Sequence, residues 1–252
     1  MRVSLAQFDI HWEDPTANLG VVKTMMSTKS DLVVLPEMFL TGFTMDPHSI
    51  AASMDGHEIQ SLQDMVDTSG TALMGSLVVK EENQLFNRMI LFTPNESMQY
   101  YDKRHLFSFG GEGRNYTAGN NDGIFHLKDW KICARICYDL RFPAWCRNTM
   151  DYDLIVFVAS WPKARHHAWT NLVQARAIEN QAFAIGVNRL GSDGNNLDYL
   201  GGSLAVDYNG EIITHAGSDK EVRTVTLDKA AMLNYRSKLP FLKDQDRFTI
   251  HG

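Results

Sequence analysis

Short apolar runs bounded by turn-forming residues recur along the chain, separated by stretches whose apolar positions fall at helical spacing. The first eight residues alternate, which predicts a strand at the start. Asp14-Pro15 puts a capping carboxylate before a proline at the first helical position, and Leu19, Val22, Met25 and Met26 then recur at helical spacing, predicting a helix to about residue 27. Residues 31–35 are apolar on both faces, as in a strand covered from two sides, and end at Pro36-Glu37. A helix over 58–67 follows, then strands over 72–79 and 85–93 joined through Glu81-Glu82-Asn83, and a strand over 98–102. Residues 110–123 are Gly-rich and predict a long loop. Strands over 124–127 and 131–136 flank a turn at Lys128-Asp129 and deliver the chain to Cys137. Beyond them the pattern predicts a short helix after Pro143, a strand over 154–159, a helix over 166–179 and a strand over 182–187. Asn209-Gly210 marks a hairpin between 203–207 and 211–214, followed by a strand over 221–227 and a helix over 229–237. Strands mixed with helices and hairpins predict α/β layers, with two sheets packed face to face and helices outside. Nothing reads as a linker or a repeat, so one domain over 1–252 is expected.

Composition narrows the function. Hydrophobic residues at 44% and charged residues at 21% suit a soluble globular protein with a substantial core. A net charge of -6 leaves no basic footprint for nucleic acid. No apolar run approaches the ~18 residues of a membrane span, and the first residues lack the apolar block of a signal peptide. Cys133, Cys137 and Cys146 are odd in number and close together, which suits reduced thiols in the cytoplasm. The expected partners are small molecules and other copies of the chain.

Three residues at predicted strand ends carry candidate chemistry. Cys137 follows an apolar strand in Ile136-Cys137-Tyr138-Asp139-Leu140-Arg141-Phe142-Pro143; it is either a small buried hydrophobe or a nucleophile, and a nucleophilic thiol needs a base or a positive field beside it. Glu37 ends a strand after a proline, as a capping or ion-paired carboxylate or as an acid–base group. Lys103 follows the strand over 98–102, as a solvated lysine or as a fixed cation. Together they suggest a cysteine hydrolase without histidine. Cys133 and Cys137 do not suit zinc, because the spacing within a strand holds the thiols too far apart. His166 and His167 open a helix, where the dipole disfavours imidazolium, and are assigned no catalysis. Arg135, between apolar neighbours, has no account at this level.

These segments resemble the nitrilase superfamily of carbon-nitrogen hydrolases. The resemblance rests on Leu35-Pro36-Glu37-Met38-Phe39, Asp102-Lys103-Arg104-His105-Leu106-Phe107 and Ile136 to Pro143, in family order and spacing. Ala159-Ser160-Trp161-Pro162, Gln174 to Gln181 and Asn188 to Gly194 extend it over nearly the whole chain. It implies a four-layer αββα sandwich with two mixed sheets between helices, a homodimer, and a Cys-Glu-Lys site needing no cofactor or metal. In that site Glu37 would take the Cys137 proton and later activate water. Lys103 and the Tyr138 N–H would hold the oxyanion of an intermediate leading to a thioester, with the Lys103 ammonium stabilising the thiolate. Glu112 matches a second family glutamate that positions the lysine and cysteine.

Substrate class turns on Arg141, whose planar fork suits a carboxylate and whose alternative is an ion pair with a nearby acid. The nearest likeness is to bacterial omega-amidases acting on 2-oxoacid amides, which implies hydrolysis of small 2-oxo dicarboxylate monoamides such as 2-oxoglutaramate or the methionine-salvage oxoamide. Phe39, Phe43, Phe107 and Trp161 are placed in or behind the pocket. The alternatives are a nitrilase, an N-carbamoyl amidase, or a non-catalytic relative that keeps the fold for ligand binding.

Overall fold

A computed structural model describes residues 1–251. The first half contains β1 (Arg2–Gln7), α1 (Pro15–Met25), β2 (Leu32–Val34), β3 (Ala52–Ser53), α2 (His57–Ser69), β4 (Ala72–Glu81), β5 (Gln84–Phe92) and β6 (Gln99–Asp102). The chain continues through β7 (Ile124–Leu127), β8 (Trp130–Ile136), α3 (Pro143–Cys146), β9 (Leu154–Ala159), α4 (His166–Asn180) and β10 (Phe183–Asn188). It finishes with β11 (Leu190–Ser192), β12 (Asp198–Leu200), β13 (Leu204–Val206), β14 (Ile212–His215), β15 (Glu221–Thr226) and α5 (Lys229–Lys238). Local chemistry sets the ends: the Asp14 carboxylate accepts the Ala17 N–H at 2.9 Å to cap α1, a contact worth about 1 kcal/mol.

One sheet has the order β15-β1-β2-β4-β5-β6, with β3 added beside β4, and the other the order β14-β13-β10-β9-β8-β7. Strands β1, β2 and β4 are parallel, as are β8, β9 and β10. Because β6 runs antiparallel to β5, and β5 to β4, β6 points the same way as β4. Glu37 and Lys103 therefore leave one edge of the first sheet, and Cys137 and Ser160 leave one edge of the second.

Side-chain alternation sorts the layers. In β2, Leu32 and Val34 face the second sheet and pack with Met74, Ile132, Ile136, Val156 and Ile185, while Val33 faces outward to Val22, Leu62 and Val66 on α1 and α2. From the second sheet, Ile155 and Phe157 face outward to Trp169, Val173 and Ala177 on α4. Each such buried side chain contributes about 1.5–3 kcal/mol. The order is helix, sheet, sheet, helix, which is the expected αββα sandwich. Among the described residues no helix is long and apolar enough to cross a membrane.

Some local features differ from the sequence expectation. The two-residue strand β3 and the β11–β12 pair lie where only loops were predicted, and the 110–123 loop contains a 3-10 turn at Glu112–Arg114. Arg135 acquires a reason: its guanidinium donates to the carbonyls of Asp122, Ala134 and Trp145 at 2.7–3.3 Å, tying the loop before β7 to α3.

Candidate active site

At the end of β8 the chain enters a 3-10 turn, Cys137–Arg141. Cys137 opens it with φ 44°, a left-handed conformation that costs a non-glycine residue of order 1–3 kcal/mol and persists only where neighbours enforce it. Asp139 does the enforcing. Its Oδ2 accepts the Ile136 N–H at 3.0 Å and the Tyr101 hydroxyl at 2.8 Å, and its Oδ1 accepts the His105 N–H at 3.1 Å and lies 2.7 Å from His105 Nδ1. One buried carboxylate thus joins the cysteine turn to the segment that follows Lys103. Burial works to raise its pKa, but the hydrogen bonds from His105 and the Ile136 N–H outweigh it and hold the group below the usual carboxylate range.

Glu37 follows β2 and is fully buried. Its Oε1 accepts Lys103 Nζ at 2.9 Å and Asn87 Nδ2 at 2.8 Å, and its Oε2 accepts the Ser160 N–H at 2.8 Å. Met38 beside it is again left-handed, at φ 47°, with its N–H bonded to Ser76 Oγ at 2.9 Å. Lys103 Nζ donates to both oxygens of Glu112 at 3.0 Å, and Glu112 is fixed in turn by the Phe107 N–H at 2.5 Å. The backbone at Lys103 is pinned by Asn87 O at 2.9 Å and by the Gly119 N–H at 3.0 Å. Only glycine permits the second contact, since a Cβ at 119 would sit 2.2 Å from Asp102 O.

These contacts fix the charges. Burial alone would lower the Lys103 pKa, but Glu112 and Glu37 hold it well above the ordinary lysine value, so the group is a permanent ammonium. Burial raises the Glu112 pKa despite the opposing pull of Lys103. Cys137 keeps one side toward a cavity, yet desolvation by the dense surround and the Glu37 charge together push its thiol well above the usual cysteine value, with Lys103 opposing them only in part. Lys103 is saturated by two carboxylates, so the resting sulfur is a thiol that depends on a base.

Cys137, Glu37 and Lys103 line one small cavity. Phe43, Phe107, Tyr138, Arg141 and Trp161 line it too. Glu112 and Asn87 stand behind Lys103 and Glu37. Arg141 does not take the alternative of an ion pair with an acid: the arginine ion pairs of the described residues involve Arg88, Arg176, Arg189, Arg223 and Arg236, while the Arg141 Cζ lies 4.9 Å from the Trp161 ring centroid. Phe39 is a correction. It is fully buried in the cluster between the first sheet and its helices, against Leu35 and the bare backbone of Gly75, and does not line the cavity.

Several residues at the site escaped the sequence reading. Asn87 was visible only as a polar residue inside the apolar run of β5. Ser160 lay in a segment matching the family but was given no role, and Arg165 and Tyr199 gave no signal by type or spacing. Tyr199 arrives on β12, with its hydroxyl bonded to Asp193 Oδ2 at 2.8 Å.

The carbon-nitrogen hydrolase family model matches residues 2–237. The chain belongs to the carbon-nitrogen hydrolases. It is 38% identical to omega-amidase YafV of Escherichia coli K12, covering 99% of this chain and 98% of that protein. It is 32% identical to the 2-oxoglutaramate amidase of Bacillus subtilis 168, over 96% of each. Among solved structures, XC1258 of Xanthomonas campestris, described as a CN-hydrolase superfamily protein with an arsenic adduct in the active site, superposes with a TM-score of 0.96 at 40% identity, covering 100% of this chain and 99% of that one. Saccharomyces cerevisiae Nit3 shares the fold with a TM-score of 0.87 at 22% identity, covering 95% of this chain and 94% of that one.

Proposed function

We propose that this carbon-nitrogen hydrolase is an omega-amidase that converts small 2-oxo dicarboxylate monoamides to the acid and ammonia through a thioester on Cys137. The observation that carries the substrate class is the acid-free guanidinium of Arg141, held over Trp161 in the cavity that contains Cys137, Glu37 and Lys103. A planar fork without an internal partner suits a substrate carboxylate. The names of the relatives, omega-amidase and 2-oxoglutaramate amidase, support the same reading.

In the first half-reaction Glu37 takes the thiol proton as sulfur attacks the amide carbon. Because the resting thiol is held protonated, attack and proton transfer are coupled. The oxyanion is stabilised by the Lys103 ammonium and the Tyr138 N–H. Lys103 cannot exchange protons while two carboxylates hold its charge, so it acts as an electrostatic donor throughout. Glu37 then passes its proton to the departing nitrogen, ammonia leaves, and the thioester remains. In the second half-reaction Glu37 deprotonates water, which attacks the thioester, and the proton returns to sulfur. Glu112 keeps Lys103 in place.

Ammonia release across 2-oxoacid amides, plain amides, nitriles and carbamoyl compounds tests the assignment. The 2-oxoacid amides should have the highest kcat/KM. Carbon dioxide accompanying ammonia would instead mark a carbamoyl route, and binding without turnover of any amide would mark a non-catalytic relative.

A further inference from the structure

The cavity holds a second guanidinium. Arg165 closes the 3-10 turn Lys163–Arg165 ahead of α4, is exposed, and places its Cζ 5.5 Å from the Phe107 ring centroid. It lines the same cavity as Arg141. Trp161 links the two: its ring lies under Arg141, and its indole N–H donates to the Arg165 carbonyl at 2.8 Å. Both guanidinium groups rest on aromatic walls, and neither pairs with a carboxylate among the described residues, whose arginine ion pairs lie elsewhere.

The cluster around the sulfur explains why two cations would be useful. Glu37 and Glu112 share the single ammonium of Lys103, which leaves negative charge facing an incoming anion when both carboxylates are ionised. One guanidinium offsets that excess; a second one attracts the substrate.

We infer that Arg165 is a specificity-determining residue that acts with Arg141 as a two-guanidinium clamp on the far end of the substrate, and that the clamp selects a 2-oxo acid over a 2-amino acid. The inference rests on the amidase reading above. A 2-oxo acid presents the carboxylate and the neighbouring oxo oxygen as acceptors along one edge. One fork takes the carboxylate in a bidentate pair while the other donates to the oxo oxygen and the nearer carboxylate oxygen. A 2-amino acid puts an ammonium where that second fork points, and the two like charges repel. Exclusion of free amino-acid amides thus comes from repulsion as well as from lost hydrogen bonds.

The test is kcat/KM for 2-oxoglutaramate, glutaramate, glutamine and pentanamide with wild type, Arg141→Met, Arg165→Met and Arg165→Lys. A charge-assisted hydrogen bond predicts that Arg165→Met narrows the preference for 2-oxoglutaramate over pentanamide by about ten- to a hundredfold. It should also narrow the preference for 2-oxoglutaramate over glutamine. Arg165→Lys should restore part of both ratios through its charge and neither fully, because the planar fork is lost. It also carries the test if the methionine variant melts early. Arg165→Met ratios equal to wild type, or an equal loss on all four amides, overturn the inference. If those ratios survive in Arg165→Met but collapse in Arg141→Met, only the role of Arg165 falls. A wild-type enzyme that prefers pentanamide overturns the omega-amidase reading and the clamp together.

Discussion

Cys137 combines a left-handed backbone, a thiol kept protonated by its surroundings, and a carboxylate that must take its proton. The difference in thiolate absorbance between wild type and Cys137→Ser should therefore show no step as pH rises through the ordinary thiol range near pH ~8.5, appearing only above it. A step below neutral pH would mean that Lys103 holds a resting ion pair with sulfur. At Arg141, replacement by Met should raise KM for carboxylate-bearing amides about tenfold or more, the scale of one charge-assisted pair, and raise it far less for neutral amides. Equal effects on both classes would remove Arg141 from recognition. Glu37, Lys103 and Cys137 were legible in the sequence because each stands in a motif at or after a strand end, and Glu112 only through the family resemblance. Asn87 and Ser160 were not, because what they do depends on which strands lie side by side. The upward shift of the thiol pKa was also hidden, since it follows from the density around the sulfur rather than from the order of residues.

At the level of elements, two devices hold the site together. Asp139 fastens the turn after β8 to the segment after β6, and Asp193 shapes the β11–β12 hairpin by accepting the N–H groups of Asn195 and Leu197 at 2.8 and 3.0 Å and the Tyr199 hydroxyl at 2.8 Å. Removing a buried, hydrogen-bonded charge of this kind costs about 3–5 kcal/mol, so Asp139→Ala should lose that much stability in urea unfolding and lose kcat with it. The sign of its pH dependence follows from its lowered folded pKa. The carboxylate stabilises the fold fully above its unfolded pKa of about 3.9, and that stability is lost as pH falls through the lower folded value. The gap between wild type and Asp139→Ala should stay constant from neutral pH to about pH 5 and close only below pH ~4. A gap that shrinks already between pH 7 and 6 would refute this account. For the hairpin, Asp193→Ala should raise KM more than it lowers kcat. The long strands and helices were legible because alternation and helical spacing persist over many residues. The hairpin was not, because Gly191, Gly194, Asn195 and Asn196 read as a loop, and its anchors come from afar: the buried Arg189 side chain lies 3.0 Å from Asp9 Oδ1, 180 residues away along the chain.

Across the whole molecule, the site exists only where two sheets meet. Glu37 lies 66 residues from Lys103 and 123 from Ser160, yet it bonds to both, so neither half of the chain can form the site alone. Activity and far-UV circular dichroism should accordingly be lost at the same urea concentration, and inactivation well before unfolding would contradict that coupling. The layer order was legible because the apolar runs of β2, β8 and β9 require cover on both faces. The cavity walls were not, since Arg165 and Tyr199 reach them from the turn ahead of α4 and from the hairpin through contacts that no local pattern encodes. The most direct measurement is acid-quenched mass spectrometry of the enzyme during turnover of 2-oxoglutaramate. The peptide containing Cys137 should gain the mass of the acyl group, with ammonia released ahead of the acid product, and Cys137→Ala should show neither adduct nor turnover. Ordinary ammonia release by Cys137→Ala, with no adduct on the wild-type peptide, would contradict the account.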